Sequence, residues 1–143
     1  HGVHLVFFLA NVYLFDLTKE FLMQKIHKYF TYVFNPKSFE YKRIKTILNS
    51  YCKLEGNSTE GYMCCYFSPE WKDYGLEYFG ENKVLFDFQA PAVDEDKQIV
   101  ISCQEFYDIV YKYYFEYARQ HSEEQEEIMR LLAELKNKLS VKQ

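Results

Sequence analysis

Apolar residues recur at helical spacing in two segments of the N-terminal third of the chain. The first predicted helix runs from Leu17 to about Phe34, where Asp16 or Thr18 can cap its start, and its apolar stripe is Leu22, Ile26, Tyr29, Phe30 and Val33. Asn35 and Pro36 then form an N-cap and a first helical position, which predicts a second helix that ends at Gly56. The apolar face of this second helix is Tyr41, Ile44, Ile47, Leu48 and Tyr51.

The C-terminal third predicts two further helices. Ser102 followed three residues later by Glu105 is a capping-box pattern, and the stripe after it is Phe106, Ile109, Val110, Tyr113, Tyr114 and Tyr117. Ser122 with Gln125 repeats the pattern for a last helix, whose stripe is Ile128, Leu131, Leu132, Leu135 and Leu139. Its glutamates cluster near the start and its lysines near the end, which complements the helix macrodipole without any ligand.

Between these helix pairs, the pattern changes to that of strands. Residues 61–67 are a continuous apolar run, typical of a central strand, and residues 98–101 form a short final strand. Residues 74–79 and 83–88 flank Gly80-Glu81-Asn82, which predicts a hairpin. With no internal repeat and no linker, residues 1–143 are expected to form a single α+β domain: an antiparallel sheet of about four strands with two N-terminal and two C-terminal helices.

The N-terminal apolar segment, residues 1–15, fits this scheme least well. It is too short to span a bilayer and lacks a basic region typical of a signal peptide, so we expect a buried strand or helix, and the pattern does not decide between them. The four cysteines have no metal-ligand spacing, which predicts reduced thiols, no metal site and no cofactor. A cytoplasmic protein without membrane association is therefore expected.

The charge of the chain is distributed unevenly, although its net value is only −4. Residues 19–53 carry eight basic and two acidic side chains, whereas residues 54–108 carry twelve acidic and three basic ones, a net charge of −9. In the acidic part, Trp71, Tyr74 and Tyr78 are interleaved with carboxylates. Aromatic anchors with an acidic surround are typical of a surface that binds a basic protein and repels nucleic acid. The same pattern is consistent with aromatic residues in the core and carboxylates that only make the surface soluble.

Two other functions are consistent with parts of the sequence. The basic helix 36–55, with Lys37, Lys42, Arg43 and Lys45, could serve a regulatory protein that binds nucleic acid. A hydrolase could use a pair of carboxylates, but the four histidines read as surface or capping residues, and no nucleophile, phosphate-loop or zinc-protease motif occurs. An enzyme is therefore the weaker interpretation.

The C-terminal half carries a family resemblance. The runs 78–88 and 98–107, followed by Tyr117, His121, 126–128, Leu131-Leu132 and Leu135, resemble immunity proteins of bacterial contact-dependent growth inhibition, in particular those cognate to ribonuclease toxins. The resemblance implies a cytoplasmic protein that binds and blocks the basic nuclease domain of a large exoprotein. The contact residues that we predict for this toxin domain are Trp71, Asp73, Tyr74, Glu77, Tyr78, Glu81, Asp87, Asp94, Glu95 and Asp96.

Overall fold

The structure is a computed structural model that describes the backbone of residues 2–17 and both backbone and side chains of residues 18–59, 63–68, 80–89 and 95–141. Its helices are α1 (Gly2–Val33), a 3₁₀ turn (Phe39–Arg43), α2 (Ile44–Cys52), α3 (Cys103–Gln120) and α4 (Ser122–Leu139). Its strands are β1 (Ser58–Thr59), β2 (Met63–Phe67), β3 (Lys83–Phe88) and β4 (Lys97–Ser102). The predicted α+β class, with helix pairs before and after an antiparallel sheet of four strands, is confirmed.

The four strands pair in chain order, each antiparallel to the next. Met63 lies opposite Phe88, and Phe88 lies opposite Lys97, so these three residues mark one end of the sheet. Because β3 pairs with β2 on one edge and with β4 on the other, the predicted hairpin between residues 74–79 and β3 is wrong. The segment 74–79 itself lies outside the described residues.

One face of the sheet and the inner sides of the helices form the core. Alternation along the strands points one set of apolar side chains toward the helices: Met63, Cys65, Phe67, Val84, Phe86, Phe88, Ile99 and Ile101. Phe106 of α3 packs on this face, with its ring centroid 5.3 Å from that of Phe67 and 5.1 Å from that of Tyr51 of α2. The sheet face that carries Asp87 is directed away from the helices.

Helix α1 confirms the predicted stripe, but it begins at Gly2 and not at Leu17, so the predicted cap at Asp16 or Thr18 is wrong. The backbone of the apolar segment is helical from Gly2 onward. Lys19 of α1 pairs with Glu105 near the start of α3, and Phe30 stacks on Tyr113 two turns further along α3. The two helices therefore lie side by side and run in the same direction. No helix among the described residues is both long and apolar enough to cross a lipid bilayer.

The second helix begins and ends elsewhere than predicted. Asn35 accepts a bond from the backbone N–H of Lys37 through its side chain (2.9 Å) and from that of Ser38 through its carbonyl (2.9 Å). It therefore closes a turn instead of capping a helix, and the 3₁₀ turn starts only after Ser38. At the other end, Leu54 adopts a left-handed conformation (φ 55°), so the helix stops before Gly56 is reached.

The start of α3 confirms the capping box, since Ser102 accepts a bond from the N–H of Glu105 (3.0 Å) and Glu105 accepts one from the N–H of Ser102 (3.1 Å). The cap predicted at Ser122 is wrong, because the chain passes from α3 to α4 through His121 alone and Ser122 is already helical. The predicted apolar stripe of α4 is fully buried.

Candidate functional site

The structure describes four of the ten predicted contact residues. Glu81, Glu95 and Asp96 are exposed, and Asp87 is half-buried on the outer face of the sheet. The other six lie outside the described residues: Trp71, Asp73, Tyr74, Glu77, Tyr78 and Asp94.

These four carboxylates do not form one patch. Asp87 lies opposite Gln98, close to Glu95 and Asp96 at the start of β4, whereas Glu81 precedes the other end of β3. A strand of this length separates its ends by about 20 Å, at about 3.3 Å per residue. Glu95 forms an ion pair with Lys97 (3.8 Å), and Asp87 accepts a bond from Gln89 (3.3 Å). The acidic group at this end of the sheet is therefore Asp87, Glu95 and Asp96, and part of its charge is compensated.

Two of the four cations predicted on the basic helix 36–55 form ion pairs within the protein. Arg43 binds the buried carboxylate of Glu40 (3.0 Å). Lys45 reaches across to α4, where it pairs with Glu124 (3.1 Å) and Glu127 (3.4 Å). Lys37 and Lys42 are exposed, and neither has an ion-pair partner among the described residues. This geometry leaves only two of the four cations for a nucleic acid.

A groove on the helical side of the protein was not predicted from the sequence. It encloses about 560 Å³ between the end of α1, the loop that follows it, and the last turns of α3. We call it the tyrosine groove, and its lining residues include Phe34, Pro36, Tyr41, Tyr113, Tyr117 and His121. Phe34 meets Tyr113 and Tyr117 at ring-centroid distances of 5.9 Å each.

Hydrogen bonds hold the corner of the tyrosine groove in place. His121 lies 2.9 Å from the carbonyl oxygen of Tyr117 through Nδ1 and 3.2 Å from the hydroxyl of Tyr41 through Nε2. Because a carbonyl oxygen can only accept, Nδ1 carries the proton, and in the neutral ring Nε2 accepts from Tyr41. The imidazole also stacks on the ring of Tyr117, with centroids 4.1 Å apart. Both rings are thereby fixed in orientation.

The hydroxyl of Tyr117 extends this network to α4 and α2. It donates to Glu124, which also pairs with Lys45 (3.1 Å). Burial, together with this bond to a carboxylate, raises the pKa of Tyr117 well above its usual range. The same bond from Tyr117, followed by the contact with Lys45, lowers the pKa of Glu124. The carboxylate therefore stays ionised and ties three elements together below the groove.

Comparison with known protein families identifies the chain. A family model described as CDI immunity protein, where CDI denotes contact-dependent growth inhibition, matches residues 19–132. The chain belongs to this family. A CDI immunity protein neutralises the toxin of its own system, so the partner is a cognate CDI toxin. No curated protein matches the chain, and no solved structure matches it.

The matched range covers most of the helices and strands of the fold. It includes all four strands, α2, α3 and most of α4, and hence the whole tyrosine groove and the acidic group of Asp87, Glu95 and Asp96. The apolar segment 1–15 lies outside the match. No cluster of three or more histidine, cysteine or acidic side chains among the described residues could hold a metal ion.

Tyr41, Tyr113 and Tyr117 were assigned from the sequence to buried stripes, and each is only half-buried. The signal that was available is clearest for Tyr117, which lies in the last turn of α3, where a stripe leaves the core. A tyrosine at such a place keeps its ring in contact with the core and its hydroxyl near solvent.

Proposed function

We propose that this CDI immunity protein acts in the cytoplasm, without catalytic turnover, as a stoichiometric inhibitor of a ribonuclease toxin domain carried by a large exoprotein. The observation that supports a nuclease is the net charge of −9 over residues 54–108, inside the range that matches the family. A ribonuclease must attract phosphates, so it presents a basic cleft, which an acidic inhibitor approaches quickly and can occupy in place of RNA.

The contact residues proposed for this cleft are those predicted from the sequence. Glu81, Asp87, Glu95 and Asp96 are described, and the others complete the same acidic segment: Trp71, Asp73, Tyr74, Glu77, Tyr78 and Asp94. Carboxylates take the positions of phosphates, and the aromatic side chains supply the apolar contact that charge alone cannot.

The test uses the purified protein and the toxin domain of its own CDI system. We expect RNA cleavage to fall linearly with added protein and to stop at one equivalent, with an association rate that decreases as salt is raised. A toxin domain that leaves RNA intact would exclude a ribonuclease, and residual cleavage at a large excess would exclude stoichiometric inhibition.

A triple charge reversal tests the contact surface separately from the role. Asp73→Lys, Glu77→Lys and Asp87→Lys together should slow association and abolish protection of cells. The matched control reverses three exposed carboxylates outside residues 54–108, namely Glu20, Glu126 and Glu134, and should still protect. Full protection by the first variant would refute the acidic contact surface while leaving the immunity role intact.

A further inference from the structure

We propose that the tyrosine groove anchors the toxin domain by receiving a segment that carries an apolar side chain next to carboxylates. This inference rests on the proposed function only in that the toxin domain is the partner. It adds an anchoring contact on the helical side of the protein to the acidic contact residues proposed above, at a distance from the outer sheet face that carries Asp87.

The shape of the groove fits an anchor site. Its volume of about 560 Å³ lies within the range of pockets that enclose a bound group. The rings of Tyr113 and Tyr117 are partly exposed in it, and tyrosine is among the residues that most often dominate the binding energy of interfaces. An inserted apolar side chain would cover these rings and remove them from water.

The groove is also rigid before binding. The stacked pair of Tyr117 and His121, the bond from Tyr41 to His121 and the bond from Tyr117 to Glu124 leave these side chains little rotational freedom. A preorganised surface loses less conformational entropy when a partner binds, which raises affinity without any new contact.

Phe39 provides apolar surface next to the groove that is not buried within the protein. Its side chain is 79% exposed, the highest value among the large hydrophobic residues described. It begins the 3₁₀ turn and lies in the chain between Pro36 and Tyr41, which both line the groove. An exposed phenylalanine gains the full hydrophobic free energy of burial only when a partner covers it. Its position extends the apolar surface beyond the groove itself.

The charge at the rim determines the chemistry of the partner segment. The ammonium group of Lys112 lies over the ring of Tyr113, 5.6 Å from its centroid. Lys37 and Lys42 flank Phe39 in the chain, and both are exposed. None of these three lysines has an ion-pair partner among the described residues, whereas Glu116 at the rim is neutralised by Arg119 (2.6 Å). The rim is therefore positive, and it complements carboxylates and disfavours a basic segment.

The experiment measures the affinity of the full chain for the toxin domain by calorimetry. The groove variant combines Phe39→Ala with Lys112→Glu, and the control variant makes the same two changes at Phe115 and Lys53, which are also exposed. Circular dichroism confirms that both variants are folded. We expect the dissociation constant of the groove variant to rise at least tenfold and that of the control to change less than twofold.

The outcomes separate the inference from the proposed function. If the wild-type chain binds the toxin domain and the folded groove variant binds equally well, the groove is not the anchor. A wild-type chain that fails to bind the toxin domain refutes the proposed function instead. Binding of single-stranded RNA that is lost in the groove variant, with toxin affinity unchanged, would assign the groove to RNA and overturn the inference.

Discussion

Asn57 links two buried tyrosines by hydrogen bonds. The loss in free energy of unfolding on its replacement by alanine can therefore be estimated from the structure. The hydroxyl of Tyr51 donates to Oδ1 of Asn57 (2.6 Å), and the amide of Asn57 donates to the hydroxyl of Tyr29. Tyr29 in turn lies 3.0 Å from the hydroxyl of Thr59 in β1. This short network connects α1, α2 and the edge of the sheet.

Asn57→Ala leaves the hydroxyl of Tyr51, a fully buried residue, without its partner. An unsatisfied buried hydroxyl costs about 1–3 kcal/mol, and the lost bond to Tyr29 adds about 1 kcal/mol. We therefore expect the free energy of unfolding to fall by about 2–4 kcal/mol. Tyr51→Phe alone should cost only about 1 kcal/mol, because Asn57 is half-buried and can turn its oxygen to water.

The double variant decides whether the two residues form one network. Once Asn57 is alanine, Tyr51→Phe removes an unsatisfied group, so it should be neutral or stabilising in that background. Urea unfolding followed by circular dichroism measures all three variants, with Asn49→Ala, on the exposed side of α2, as the control. Strictly additive losses, or a loss below about 0.5 kcal/mol for Asn57→Ala, would refute the reasoning.

Three further predictions concern the cap of α3 and the response to pH. Ser102→Ala removes the bond to the N–H of Glu105 and should lower the free energy of unfolding by about 1 kcal/mol, whereas Ser102→Asp, which can still accept, should lose less. Burial and then the nearby Lys112 lower the pKa of His27 below 6.5, so its contribution to stability is complete above that pH and is lost as pH falls through the folded value. Unfolding at a series of pH values should show a flatter acid limb for His27→Gln, and an unchanged limb would contradict this. Burial raises the pKa of three tyrosines above 10.0, namely Tyr29 (to about 12), Tyr51 and Tyr114. Their contribution to the free energy of unfolding should therefore be complete below pH 10.0 and should be lost as pH rises through the folded pKa. In an alkaline titration, phenolate absorbance should appear together with unfolding.

The helices could be predicted because their determinants are local. The capping box of Ser102 and Glu105 spans four residues, and the stripe of α4 repeats at a period that a core-facing helix requires. The start of α2 was misplaced for an equally local reason. Asn35 can satisfy the N–H groups of a turn as well as those of a helix, and Pro36 is compatible with both.

The pairing of β3 could not be predicted from the order of segments. A strand-like run at 74–79 and a turn at Gly80 favoured a hairpin, yet β3 pairs with β2, which ends at Phe67. Closing a loop of this greater length adds little entropic cost, because that cost rises only with the logarithm of loop length. Burial of Phe86 and Phe88 against the helices can therefore decide the partner, and burial is a property of the whole fold.

The two candidate sites also differ in how far they depend on contacts between residues distant in the chain. The acidic segment is visible in the sequence because its charges are neighbours along the chain, but the sheet separates Glu81 from Asp87 by the length of β3. The tyrosine groove is built from the end of α1, the following loop and α3, and the bond between Tyr41 and His121 alone joins residues 80 positions apart. No local pattern records such a contact.

The tyrosine content of the chain acquires two distinct explanations from this arrangement. Tyr29, Tyr51 and Tyr114 are buried. The hydroxyls of Tyr29 and Tyr51 bind side chains, and that of Tyr114 donates to the carbonyl of Ile44 (2.7 Å), so each buried hydroxyl has a hydrogen-bond partner. Tyr113 and Tyr117 use the same chemistry at the surface, where one edge of each ring stays accessible. Binding energy at the groove therefore depends on residues whose backbone positions the core already fixes. Lys37, Lys42 and Lys112 are exposed, and none of them forms an ion pair with another described residue. Substitutions at these three lysines should therefore change the specificity for a toxin without destabilising the fold.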